Sequence, residues 1–205
     1  MRVDLACIVE GDGDVEAVPI AIRRIVQEID PGLALKIHPP IRVPRTKLVK
    51  PEELERSIEL AARRAGSNGA IVVVLDSDND CPATLGPELL DRAQRARSDL
   101  PISVVLAKRE FEAWFLASAR SLRGLRGLAS DLEPPPDPEA IRGAKEWLTA
   151  RMPAGRSYKE TLDQPALTSS MDLLQAKAAP SFDKFFRDLV AIIEQLTAGR
   201  GLLLR

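Results

Sequence analysis

The sequence predicts an α/β layered fold with a mostly parallel central sheet and a C-terminal helical extension. Two patterns predict it. Over the first 120 residues the hydrophobic period switches repeatedly between strand and helix, in the order β-α-β-α-β-α-β. The run Ala70–Leu75 is continuously apolar and rich in valine, as suits a parallel strand buried on both faces. A third observation places chemistry on that frame. Acidic clusters follow two of the strand-like runs: Glu10-Gly-Asp12-Gly-Asp14 after Val3–Val9, and Asp76-Ser-Asp78-Asn-Asp80 after Ala70–Leu75.

Taken in order, Val3–Val9 reads as the first strand and Val15–Ile29 as an amphipathic helix. Pro19 inside that helix implies a start near Ala17–Pro19 or a distorted first turn. Leu33–Val43 holds a second strand, interrupted by Pro39-Pro40. Pro51 opens a helix that runs to about Ala65, with Gly66 as its stop. Ala70–Leu75 is the third strand, Pro87–Arg97 a helix, Ile102–Ala107 the fourth strand and Arg109–Ala119 a further helix. The α/β domain is expected over residues 1–120 and a linker with a packed helical extension over 121–205. The change comes after Ser121, where Gly124, Gly127 and Glu133-Pro-Pro-Pro-Asp137 mark a loop. Pro138–Ala150 and Ser181–Leu196 then read as helices; the second carries Phe182, Phe185, Phe186, Leu189, Ile192 and Ile193 as a packing stripe.

Composition narrows the function classes. The chain has 205 residues, 45% hydrophobic and 29% charged, as a soluble globular protein does. A net charge of −1 gives no overall footprint for nucleic acid and leaves only local basic patches. No apolar run reaches the length of a membrane span, and the N-terminus lacks a signal-peptide core, so no membrane partner is expected and the expected compartment is the cytoplasm. Two cysteines, Cys7 and Cys81, make no disulfide framework, and with His38 as the only histidine a zinc site has little support.

In open parallel sheets, ligands gather beyond the carboxyl ends of the strands. Glu10, Asp76 and the segment holding Lys108, Glu110 and Glu112 all follow strand ends, so they are expected along one edge. Unit charges about 4 Å apart repel by roughly 4 kcal/mol at an effective dielectric near 20, so converging carboxylates call for a cation. In an extended segment Asp76 and Asp78 point the same way, which suits shared binding of Mg²⁺ or Mn²⁺. Asp14 reads as a helix N-cap, and Asp12 and Asp80 as solvated turn carboxylates with ligand roles left open. Phe111, Trp114 and Phe115 fall on one helix face directed at the core; Glu110 and Glu112 flank it on opposite sides, so only one is expected to reach the acidic edge directly. Lys108 is the expected charge-balancing or phosphate-contacting cation. Arg42, Arg45, Lys47 and Lys50 form the preferred stretch for contacts to a phosphate backbone.

Val9-Glu-Gly-x-x-Asp14, followed by a strand ending in Asp76-x-Asp78, resembles the Toprim domain of topoisomerases, primases and related nucleases over roughly residues 1–120. The segment Glu110-Phe-Glu-Ala-Trp114 resembles a later motif of Toprim nucleases of the overcoming-lysogenization-defect type. The whole chain looks more closely like a bacterial Toprim-like family of unknown function, of the kind linked to ATPases in phage-defence modules. The resemblance implies a Rossmann-like Toprim fold, Glu10 as the catalytic acidic residue (metal ligand or general acid/base), and Asp76 and Asp78 as metal ligands. It also implies Asp14 and Glu112, less firmly Glu110, around a second metal. The chain departs from two branches of that group: its only tyrosine, Tyr158, lies outside the Toprim-like region, and no zinc-binding cysteine cluster is present. It has no G-x-x-x-x-G-K-[ST] loop, so any ATPase is a separate chain. The resemblance also marks Tyr158, Lys159, Asp163 and Gln164 as more than loop filler, with no mechanism read from the sequence.

The leading expectation is a Mg²⁺- or Mn²⁺-dependent phosphodiester hydrolase acting on DNA or RNA. One competitor is a non-catalytic sensor or effector subunit of a separate ATPase. Another is a nucleotide or phosphosugar enzyme that uses Asp76-x-Asp78 as a metal clamp. Oligomeric state is left open.

Overall fold

The structure, a computed structural model, describes residues 2–198; the last seven residues of the expected helical extension lie outside the described residues. Strand β1 (Arg2–Val9) leads into α1 (Asp14–Ile29), and β2 (Ala34–Ile37) and β3 (Ile41–Arg42) follow. Then come α2 (Arg45–Leu48), α3 (Glu53–Ala65), β4 (Ala70–Asp76), α4 (Pro82–Ala96) and β5 (Ile102–Ala107). The remainder is helical: α5 (Ala113–Ala117), α6 (Ala144–Thr149), α7 (Glu160–Ser170), α8 (Leu173–Ala176) and α9 (Pro180–Ala198), with short 3₁₀ turns between α5 and α6.

Every strand pairing is parallel. The path is β2-β1-β4-β5, and β3 continues the β2 edge by pairing with the far end of β1. The expected second strand is thus one edge broken in two at Pro39-Pro40, since a proline has no N–H to give to the ladder. Side-chain alternation splits the strands between two cores. Leu5, Cys7, Val72, Val74 and Val105 face α1 and α9. Ala6, Ile8, Ile71, Val73 and Val104 face α3 and α4. Both faces are covered, as the unbroken apolar run of β4 requires.

Several helices differ from expectation. The one expected over Pro138–Ala150 is a 3₁₀ turn at Pro138–Ala140 and then α6, parted where Gly143 turns left-handed at φ 72°. α4 opens at Pro82, a turn before the expected Pro87, because a proline is accommodated in the first turn of a helix. α1 runs from Asp14 straight through Pro19. The proline costs one helical hydrogen bond, which the buried stripe of Ala17, Val18, Ala21, Ile22, Ile25 and Val26 offsets. α5 is only five residues long, because the chain turns at Ser118, whose hydroxyl bonds back to the Trp114 carbonyl at 2.9 Å. Its aromatic face enters the core as expected. Trp114 stacks on Phe185 of α9 at 5.3 Å, and its indole N–H donates to Ser181 Oγ at 2.9 Å. α7 packs along α1 and, with α9, continues the same core, so the C-terminal third flanks the acidic edge of the sheet.

The approach of α7 fixes Gly13. A Cβ there would lie 1.9 Å from Gln164 Oε1 and 2.7 Å from Glu160 Cγ. Gly13→Ala is therefore expected to push α7 off α1 at a cost of about 1–3 kcal/mol, the usual penalty of overpacking, and differential scanning calorimetry would read it.

Candidate functional site

The chain leaves β1 to build β2 and β3 on one side, then crosses to β4 on the other. The crevice between the ends of β1 and β4 is the switch point of the sheet, where bound ligands collect in open α/β folds. Glu10 follows β1 directly and Asp76 ends β4. The Asp76 backbone N–H donates to Glu10 Oε2 at 3.1 Å. Asp76 Oδ1 in turn accepts the Phe111 N–H at 2.8 Å, which ties in the segment after β5. Three strand ends therefore meet at Asp76.

Asp14 and Glu112 complete the acidic wall. Asp14 opens α1 without capping it through its side chain. Its Oδ2 accepts the Gly11 N–H at 2.8 Å, and its Oδ1 accepts Gln164 Nε2 at 2.6 Å. Glu112 is buried; its Oε1 accepts the Tyr158 hydroxyl at 3.0 Å and lies 3.9 Å from Lys145 Nζ. Glu10, Asp14, Asp76 and Glu112 line one cavity of about 240 Å³. Lys145, Glu160 and Gln164 form its other wall, and the exposed Arg42 borders it. Lys145 Nζ is 2.8 Å from Glu160 Oε2.

The electrostatics of the wall are uniform in sign. Asp76 is open to the cavity yet enclosed by protein elsewhere. Burial, then the charges of Glu112, Asp14 and Glu10, hold its carboxyl well above the usual range. Burial pushes Glu112 up to about 7, although Lys145 and the Tyr158 hydroxyl pull it back. Burial also raises Glu10 and Asp14, each with help from a neighbouring carboxylate. Burial would lower the Lys145 ammonium, but Glu112 and Glu160 outweigh it and hold it above its ordinary value.

Among the described residues, no three carboxylate, imidazole or thiol groups close on a common point as a ready metal cage. Repulsion explains the spread: each acid leans on an N–H or O–H donor rather than on another acid. The donors are all oxygen, anionic and held near one small cavity, a set that fits a hard dication such as Mg²⁺ or Mn²⁺.

The family model of a domain of unknown function, DUF4276, matches residues 9–190. The chain belongs to this family. A search of curated proteins and a search of solved structures each gave no match. The DUF4276 match takes in both walls of the cavity, from Glu10 to Gln164.

Within this DUF4276 chain several expected site residues stand elsewhere. Asp78 does not share the direction of Asp76. Its φ of 50° breaks the extended backbone that alternation assumes, and its N–H is held by the Arg109 carbonyl at 3.0 Å. It faces Arg45 Nε at 3.6 Å and is exposed, although its charge still reaches Glu10. Asp80 is exposed and paired with Arg45, not turned to the cavity. Arg45 also donates to the Asp76 carbonyl at 3.0 Å, so it organises the acidic turn. Arg42 alone of the basic stretch lines the cavity, paired with Asp12 at 2.8 Å; Lys47 and Lys50 are exposed on and beside α2. Lys108 lines a separate cavity between α4 and α9. Glu110 accepts the Ala144 N–H at 2.9 Å instead of lining the acidic cavity, so Glu112 is the one of the pair that reaches it.

Lys145 carries no signal in the sequence, because its position depends on how the C-terminal third docks; Glu160 belongs to the polar patch Ser157–Thr161 ahead of α7, which could cap a helix or cover the acidic edge. Tyr158 and Gln164, singled out by resemblance, do reach the acids. Lys159 is exposed, and its N–H donates to the buried Asp163, which Arg126 meets at 2.8 Å; this pair supports the turn into α7.

Proposed function

We propose that the chain is a Mg²⁺- or Mn²⁺-dependent phosphodiester hydrolase of Toprim type acting on DNA or RNA. The observation that carries this reading is the gathering of Glu10, Asp14, Asp76 and Glu112 around one small cavity at the sheet's switch point. Glu10 and Asp76 would hold a divalent ion, and Asp14 and Glu112 would hold a second or steady the first. Asp78 would join them only by leaving Arg45. When bound, the ion supplies Lewis-acid polarisation of a phosphate and activation of water. Without the ion, burial pushes Glu112 up to about 7; a bound dication would favour its ionised form. Lys145 takes the place expected for Lys108 as the cation facing a phosphate. Arg42, with Lys47 and Lys50 beyond it, would meet the sugar-phosphate backbone without reading sequence. Among the described residues, no helix is long and apolar enough to cross a membrane.

The test is cleavage of labelled single- and double-stranded DNA and RNA with Mn²⁺. Lys145→Ala is expected to slow cleavage about a hundredfold, the scale on which removing one charge-stabilising donor acts, while Lys108→Ala stays near wild type. Folded protein that cuts none of these polymers with Mn²⁺ would remove the reading.

One observation favours a second reading, a non-catalytic effector subunit of a separate ATPase. Lys145 already supplies positive charge to the acidic wall. On that reading Mn²⁺ leaves the Tm unchanged, and substitutions in the wall alter only partner binding.

A further inference from the structure

We propose that Glu110 is a positioning residue that seats Lys145 in the acidic cavity, rather than a ligand of the cation. The proposal rests on the hydrolase reading only in making Lys145 the group that faces substrate.

α6 is a short helix of six residues, and its N-cap, Gly143, offers no side chain to the free amides of the first turn. Gly143 sits in the left-handed region at φ 72°, where the chain turns abruptly into the helix. The missing acceptor comes from across the fold. Glu110, 34 residues earlier, takes the Ala144 N–H at 2.9 Å. A carboxylate on a backbone N–H at a helix start is a charge-assisted bond, stronger than a neutral one and favoured by the helix dipole. Ala144 is buried, so its amide has little water to turn to if that acceptor is lost.

Lys145 is the next residue. Its ammonium reaches Glu160 Oε2 at 2.8 Å and lies 3.9 Å from Glu112 Oε1. Glu110 thus fixes the backbone one residue before the cation that faces the acids. Glu110 and Glu112, two apart on the segment after β5, divide the work: Glu112 enters the cavity and Glu110 holds the element opposite. The same geometry accounts for Glu110 not lining the cavity.

The experiment reads the place of Lys145 without needing turnover. Native protein is acylated briefly with an amine-reactive ester, and labelling at each lysine is quantified by mass spectrometry. Mn²⁺ affinity is measured alongside by calorimetry. Wild type and Glu110→Gln, which keeps an acceptor oxygen, are expected to show equally protected Lys145. Glu110→Ala is expected to raise Lys145 labelling at least about fivefold, leaving Lys159 and Lys177 unchanged and Mn²⁺ affinity no weaker than in wild type, since a displaced ammonium no longer repels the dication. Glu110→Asp keeps the charge but is one methylene short, and is expected to behave like Ala; it carries the comparison if Ala does not fold. Unchanged Lys145 labelling in these variants, a rise shared by all lysines, or a tenfold loss of Mn²⁺ affinity in Glu110→Gln overturns the proposal. A wild-type protein that binds no Mn²⁺ and cuts no polymer refutes the hydrolase reading instead, and the labelling pattern still decides the role of Glu110.

Discussion

Asp76→Asn is expected to abolish metal-dependent cleavage, by about a thousandfold or more, while raising the Tm of the metal-free protein. A thousandfold corresponds to about 4 kcal/mol of lost transition-state stabilisation. The two effects share one cause. Asp76 sits among Glu10, Asp14 and Glu112, and burial plus their charges hold its carboxyl well above the usual range. The fold therefore tolerates the ionised form at a cost, which a divalent ion would repay. Asparagine keeps the oxygen that accepts the Phe111 N–H and removes the charge. In a domain of this size, each 1 kcal/mol gained appears as about 2–4 °C in Tm. Mn²⁺ should then no longer shift the melting curve. A variant that melts lower than wild type without metal would identify Asp76 as a structural acid and withdraw its role in holding an ion.

The second large expected effect is a metal-free Tm that falls as pH rises, with a metal increment that grows over the same range. Glu112 is pushed from its ordinary 4.5 up to about 7 by burial, and Glu10, Asp14 and Asp76 are raised as well. For an acid raised in the folded state, the native protein keeps its proton where the unfolded chain has lost it. The stability it contributes is full below the unfolded value and falls away as pH climbs to the folded one. In chelator, the Tm should therefore drop between about pH 4.5 and 7, with Glu112 alone accounting for up to about 3 kcal/mol. On the metal-dependent reading, saturating Mn²⁺ would bind the ionised acids and stabilise by mass action, so its increment should grow over the same interval. Glu112→Gln, which can still accept from Tyr158, should flatten the metal-free slope. Thermal melts from pH 4.5 to 8, with EDTA and with Mn²⁺, would measure all three. A metal-free Tm that rises steadily to pH 7 would contradict the buried-acid description.

The convergence of Glu10 and Asp76 was legible because it needs only two inferences, parallel strands and ligands at their carboxyl ends. The valine-rich run before Asp76 licensed the first. Asp78 was not legible, because alternation presumes an extended chain and its backbone turns left-handed one residue past the buried Ser77. Lys108 was misplaced for a related reason: it follows a strand end but turns toward α4 and α9. α7 escaped because its buried face carries Asp163, Gln164 and Thr168, so it lacks the apolar stripe that betrays a helix. Of these, Gln164 donates to Asp14 and Asp163 holds the turn into α7. One residue that hides the helix, Gln164, is thus also part of the second wall. Lys145 depends on tertiary docking alone, which no local pattern encodes.

The distance along the chain between the two walls has a consequence for biosynthesis. A ribosome that has made the strands and α5 has produced Glu10, Asp14, Asp76 and Glu112, but not Lys145, Tyr158, Glu160 or Gln164. Such a nascent polypeptide carries the acids with nothing to steady Asp14 or Glu112 from the far side. A stalled or prematurely terminated product would leave that edge gaping to solvent. The cavity is therefore complete only once synthesis has passed Gln164.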